Sequence, residues 1–228
     1  MRRSFFILIL ALTAATLLCV LADADIRATS LFYQPGVGFP IGNLQPWSFL
    51  YRFGEYPSFA MGTVALLLVA VGFIKPSLAR FRRQALFLAL LLIIAPGILA
   101  NSIFKDHWGR PRPKQTDQFG GTMAFHQPWQ PGPAQRNASF PAGHPTVAFY
   151  LSAPYFILRE KKRRQALLWL WGGIFYGIIM GAARIIQGGH FVTDVIWSAG
   201  FVYLTAMVLA SLLRLDAEPL VTSPVRIS

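Results

Sequence analysis

Between Arg184 and Asp194 the chain reads RIIQGGHFVTD, an arginine, a histidine (His190) and a carboxylate in one short run. Residues four apart meet on one face of a helix, so Asp194 is spaced to accept a hydrogen bond from one imidazole nitrogen of His190. The other nitrogen then keeps a free lone pair, the arrangement of an activated nucleophile. Upstream, FPAGHP holds His144 between Gly143 and Pro145. Proline favours the start of a helix, where backbone N–H groups and the positive end of the dipole receive anions. Gly143 lets an oxyanion approach the backbone. His144 titrates near neutral pH and suits proton donation to a leaving oxygen. KDHWGRPRP adds Lys105 and Arg112, with Pro111 and Pro113 stiffening the segment. With Arg184 these cations can stabilise the equatorial oxygens of a transferring phosphoryl group. The combined chemistry is attack of an imidazole on phosphorus, giving a phosphohistidine. No carboxylate cluster or metal-ligand spacing accompanies it, so neither metal nor cofactor is expected.

The elements that carry these residues are mostly apolar. The chain has 228 residues, 54% apolar and 13% charged, against about 25% charged in soluble domains. This predicts an integral membrane protein in one domain, residues 1–228, with the motifs confined to 105–194. The net charge of +12 does not imply nucleic acid, because the cations cluster at the ends of apolar runs. Cys19 lies inside an apolar run, which excludes a disulfide framework.

Six apolar stretches are candidate spans: about Ser4–Leu21, Phe59–Ile74, Ala85–Phe104, Thr146–Leu158, Ala166–Ala183 and Phe191–Leu213. The expectation is an all-α bundle of six transmembrane helices. Short basic loops containing Lys75, Arg80, Arg82 and Arg83, and Arg159 to Arg164, belong on the cytoplasmic side, as do both termini. That layout puts 13 of the 21 Lys and Arg inside. Anionic lipid is the expected neighbour of these loops. All three motifs then meet at the outer face. A competing reading takes Arg2-Arg3, the first apolar run and LADADI as a cleaved signal peptide, leaving five spans. Trp47, Tyr51, Phe53 and Tyr56 read as interfacial anchors, with a role in gating lipid access as the alternative. His107, His126 and Arg136 read as outer-loop residues without motif support.

The pattern Lys105-x6-Arg112-Pro113, then Pro141-Ala142-Gly143-His144, then Arg184-x5-His190-x3-Asp194 resembles the three motifs of the type 2 phosphatidic acid phosphatase family. The resemblance spans residues 105–194 and implies a metal-independent phosphatase. It implies His190 as nucleophile, Asp194 as its partner and His144 as general acid. Lys105, Arg112 and Arg184 would bind phosphate, together with the Ala142-Gly143 backbone. Two positions depart from the family pattern: Ala142 and Ala183 stand where the family carries serine. A lost hydroxyl contact to a charged group costs about 1.5–3 kcal/mol, which backbone N–H groups and Arg110 can compensate.

The expected activity is hydrolysis of a membrane lipid phosphate at the outer (periplasmic) face of a bacterial inner membrane. KDHWGRPRP followed by QFGG resembles bacterial members of the family, among which lipid A 1-phosphatases are favoured. Undecaprenyl pyrophosphate and phosphatidylglycerophosphate phosphatases share the motifs, and a lipid phosphotransferase would use the same site. A non-catalytic lipid binder or transporter has only Ala142 in its favour. Oligomeric state is not legible in the residues.

Overall fold

Backbone buried in hydrocarbon must satisfy its own hydrogen bonds, so long apolar runs close into helices. The computed structural model describes residues 2–133 and 138–215. Its regular elements are helical, and no strand occurs among the described residues. The main helices are α1 (Arg2–Leu21), α2 (Ala24–Ser30), α3 (Trp47–Phe53), α4 (Tyr56–Ile74), α5 (Arg82–Leu92), α6 (Gly143–Phe149), α7 (Pro154–Leu158), α8 (Arg163–Ile186) and α9 (Val192–Leu212). A π-helical segment, Ile93–Phe104, prolongs α5 and contains Pro96.

Among the described residues, five helical stretches are long and apolar enough to cross a membrane: Arg3–Leu21, Trp47–Ile74, Arg82–His107, Arg163–Ile186 and Val192–Leu212. The sixth expected span is different in kind. From Gly143 to Leu158 the chain is helical but changes winding at a 3-10 turn, Tyr150–Ser152. At about 1.5 Å per residue, such a run reaches about 24 Å, short of the hydrocarbon thickness of about 30 Å. Its residues are also the buried ones: Pro145 to Tyr150 are all enclosed, whereas Phe6, Leu10, Leu18, Leu67, Leu168 and Phe175 stand exposed on the surrounding helices. The other helices wrap this segment, so it can carry Thr146 and Ser152 without meeting lipid.

Close helix approach explains the wrapping. In α8, Gly173, Gly177 and Gly181 recur every fourth residue on one face. A side chain at Gly173 would strike the Ser152 backbone, at Gly177 the Phe149 ring, and at Gly181 Val195. Small residues at this spacing let membrane helices pack backbone to backbone. Phe87, Leu91, Phe149, Tyr150 and Val202 form the adjoining core. On the far side α1 lies along α9, with Leu12 against Gly200 and Trp197 Nε1 donating to Thr16 Oγ1 at 3.1 Å.

This arrangement sends the C-terminal ends of α1, the π segment and α8, and the N-terminal ends of α4, α6 and α9, to one end of the bundle. The basic loops at residues 75–81 and 159–162 lie at the other.

Candidate active site

The turn between α8 and α9 carries the third motif. Arg184 is in the last turn of α8, Gly188 takes φ +60° beside the Phe39 ring, and Phe191 caps α9. His190 therefore precedes the helix and does not share a helical face with Asp194. Its Nδ1 lies 2.7 Å from the Ser139 carbonyl oxygen and 3.7 Å from Asp194 Oδ2. A carbonyl only accepts, so Nδ1 carries the proton and Nε2 keeps its lone pair. The expected direct hydrogen bond from the imidazole to Asp194 is replaced by one to backbone. The carboxylate works around the ring instead. It accepts from the Phe191 N–H at 2.8 Å, from the Ser139 hydroxyl, and from Arg110 Nη1 at 2.5 Å. Asp194 thus ties together the two chain segments that flank His190.

Arg110 has no surface at all. Its guanidinium donates to the His126 carbonyl, Thr193 Oγ1, Asp194 and Asp25 Oδ2, and lies 4.6 Å from the Phe191 ring centroid. Asp25, just beyond α1, accepts in turn from the Thr193 N–H and hydroxyl. A buried ion pair persists only when its remaining hydrogen-bonding capacity is met, and this network meets it. Arg110 is therefore committed to Asp25 and Asp194, which corrects the expectation that it compensates for Ala142 at the phosphate.

The second motif begins α6. Ala142, fully buried, is the N-cap, so the helix starts two residues before Pro145. A side chain at Gly143 would fall 2.8 Å from Asn101 Oδ1 and 2.9 Å from Lys105 Nζ. Glycine is what lets the Lys105 ammonium reach the first turn of α6. The His144 ring stacks on Tyr51 at 5.0 Å and 24°, with Nδ1 3.7 Å from Glu55 Oε1.

The first motif leaves the π segment. Lys105 Nζ donates to Asn101 Oδ1 at 3.4 Å, while Asn101 Nδ2 donates to the Pro96 carbonyl at 2.7 Å. Arg112 precedes a 3-10 turn, Pro113–Gln115, and its N–H donates to Gln115 Oε1 at 2.8 Å. Arg184 donates to Gln187 and lies 4.5 Å from the Tyr51 ring centroid. Gln187 is itself held by the Gly42 and Trp47 carbonyls.

The electrostatics follow from crowding. Burial, then repulsion from Arg112 and Arg184, lowers the Lys114 ammonium below its ordinary range. Burial likewise lowers Arg112, though an arginine stays charged. His190 is pushed down to about 3, by burial first, with Arg184 and Lys105 repelling its charged form and Asp194 opposing them. Two buried polar atoms here have no hydrogen-bond partner: Arg184 Nε and His190 Nε2. A pocket of about 300 Å³ opens between α4, the π segment and α6, lined by Glu55, Phe59, Asn101, Lys105, Gly143 and His144 among others.

The structure brings Lys105, Arg112, Ala142, Gly143, His144, Arg184, His190 and Asp194 to one end of the bundle. Sequence reasoning missed Asp25, Tyr51, Glu55, Asn101, Ser139 and Gln187. Two had a signal: Asp25 and Glu55 are among only nine acidic residues, each at the edge of an apolar run. Trp47 to Tyr56 was read as anchoring, yet Tyr51 and Glu55 reach His144. His107 and His126 bond to the nearby Ile103 and Pro131 carbonyls, as loop residues do. Arg136 lies outside the described residues. Among the described residues no group of three His, Cys, Asp or Glu side chains is arranged to hold a metal.

Fold and site together define a helical membrane protein that gathers cations and imidazoles at one end of its bundle around an open ring nitrogen. Residues 84–216 match the PAP2 superfamily, and the chain belongs to that superfamily. It is a lipid phosphatase of this group. It is 32% identical over 202 residues to a lipid A 4'-phosphatase of Francisella tularensis subsp. novicida, covering 87% of this chain and 90% of that protein. A lipid A 4'-phosphatase of Rhizobium leguminosarum is 35% identical over 131 residues, covering 56% of this chain and 55% of that protein. One of Rhizobium etli is 36% identical over 120 residues, covering 51% and 46%. All three are named for the 4'-phosphate, not for the 1-phosphate that the motifs suggested. No solved structure matches the chain significantly.

Proposed function

We propose that this protein removes the 4'-phosphate of lipid A at the periplasmic face of the inner membrane, through a phosphohistidine on His190. The observation that carries the mechanism is the pair of unpartnered buried atoms, His190 Nε2 and Arg184 Nε, with the charges of Arg184 and Lys105 both acting on the His190 ring. Buried polar atoms are ordinarily satisfied. A phosphate monoester supplies both with what they need: its oxygens accept from Arg184 Nε–H and its phosphorus accepts the Nε2 lone pair.

The ester phosphate binds Lys105, Arg112, Arg184 and the N–H groups after Ala142. Nε2 of His190 attacks in line, and the P–N bond forms as the P–O ester bond breaks. His144 protonates the leaving sugar oxygen. Water then attacks the phosphohistidine and His144 takes its proton, releasing inorganic phosphate. The 4' position is preferred over the 1 position because the relative that aligns along most of both chains carries that name.

The test is phosphate release by the purified full chain in detergent with EDTA, from lipid A, undecaprenyl pyrophosphate and phosphatidylglycerophosphate, with mass analysis of the lipid product. The expected product is lipid A that retains its 1-phosphate. His190→Ala is expected to lose at least about 10³-fold in kcat, since a covalent step cannot proceed without its nucleophile. Loss of the 1-phosphate, transfer to a second lipid, or activity on the other two substrates alone would redirect the assignment. Full activity of His190→Ala would end the phosphohistidine mechanism.

A further inference from the structure

His144 has a neighbour that lies outside all three motifs. Glu55 sits in the turn between α3 and α4, and its Oε1 is 3.7 Å from His144 Nδ1. The turn is pinned from two sides: the Tyr176 hydroxyl on α8 donates to the Gly54 carbonyl at 2.8 Å, and Ser58 Oγ donates to the Val147 carbonyl of α6 at 2.7 Å. The His144 ring is held flat against Tyr51, whose own ring also packs on the Arg184 guanidinium. A carboxylate, an aromatic plate and an imidazole are thus locked in one arrangement at the mouth of the pocket that also exposes Lys105.

We propose that Glu55 is the positioning carboxylate of the proton-donating histidine, holding the Nδ1 side of His144 so that Nε2 presents a proton to the leaving oxygen. The proposal rests on the reading of His144 as general acid. A ring that donates from Nε2 while keeping a hydrogen on Nδ1 is an imidazolium. Burial first, and then Arg184, Lys105 and Arg112, oppose a positive charge there. Among the described residues, Glu55 is the acidic side chain at ion-pair distance from this ring. As the P–O bond breaks, its electron pair stays on the leaving oxygen, which takes the Nε2 proton. His144 becomes neutral, with Nδ1–H still facing Glu55. In the second half-reaction Nε2 accepts a proton from the attacking water and the imidazolium is restored. Glu55 keeps its charge throughout and acts only through His144.

A leaving-group comparison tests this on the full chain in detergent. Dodecyl phosphate leaves as an alkoxide that needs the proton; 4-dodecyl-2-nitrophenyl phosphate leaves as a stable phenolate that does not. General acid catalysis contributes about 10²–10⁴-fold, so Glu55→Gln is expected to lower kcat on the alkyl ester by about 10- to 100-fold. On the nitrophenyl ester the loss is expected to stay under about threefold, with KM little changed on either. His144→Ala should show the same split, and Glu55→Asp should recover part of the alkyl ester rate. Equal losses on both esters, or none on either, would overturn the role of Glu55. Turnover of neither ester by the unsubstituted protein, or of both by His190→Ala, would instead overturn the phosphatase mechanism beneath it.

Discussion

A free imidazole is half protonated near pH 6.5, and a protonated ring cannot attack phosphorus. Burial removes that competition for His190 by pushing its protonation down to about 3. The ring is thus neutral in the folded protein across the physiological range. In the unfolded chain it takes its proton near the ordinary value, so the unfolded state binds more protons between about pH 6.5 and 3, and the fold loses stability as pH falls through that window. In a ¹³C-histidine NMR titration, the resonance that disappears in His190→Gln should not move between pH 8 and 4.5. A midpoint near 6.5 would contradict its burial. Gly143 tests the other half of the site. Its Cβ would crowd Asn101 Oδ1 and Lys105 Nζ, so Gly143→Ala should displace the ammonium and raise KM for a phosphate ester. A charged hydrogen bond is worth about 1.5–3 kcal/mol, so the rise should be about 10- to 100-fold, with the thermal transition little changed. At this scale the residue types and spacings were readable without a structure. The partner of each was not. His190 Nδ1 binds the Ser139 carbonyl, 51 residues away, and Asp194 is held by Arg110, 84 residues away. Nothing in a local spacing specifies either contact.

At the scale of elements, α8 shows what hydropathy reads and what it passes over. Its apolar run was evident, while its small residues at every fourth position were legible but went unread. They place Phe149 against Gly177, where an added Cβ would come within 2.2 Å of the ring. Overpacking a tight contact costs about 1–3 kcal/mol. Gly177→Leu should therefore lower the detergent-solubilised melting temperature by several degrees and move α6, with His144, out of line. Gly172→Leu, which meets nothing within 4 Å, is the control and should melt as the native chain does. The central segment Gly143–Leu158 was harder to read for the same reason that it matters. Enclosed by other helices, it need not be uniformly apolar or long enough to span, so a rule built on lipid contact undervalues it.

Across the whole molecule, the site residues and the basic loops occupy opposite ends of the bundle. The proposed orientation puts the positive loops inside and the site end at the periplasm, which labelling tests. In a Cys19→Ser background, a cysteine at the exposed Gln118 should react with an impermeant maleimide added to intact cells. One at Glu160, exposed at 64% on the other end, should react only after permeabilisation. The reverse pattern would invert the protein and put its chemistry in the cytoplasm.

The amino-acid sequence by itself determined the helical membrane character, the three motifs, and the side chains they bring, because hydropathy and short spacings are properties of contiguous residues. It did not determine which groups would surround those side chains. Tertiary structure decided that the His190 ring is oriented by backbone, that Arg110 serves the buried carboxylates Asp25 and Asp194, and that Tyr51 and Glu55 reach His144 from a segment read as interfacial anchorage with lipid gating as the alternative. The physical reason is common to all three. Each is a contact between segments that meet only when the helices pack, and packing depends on the shapes of distant surfaces that no local pattern records.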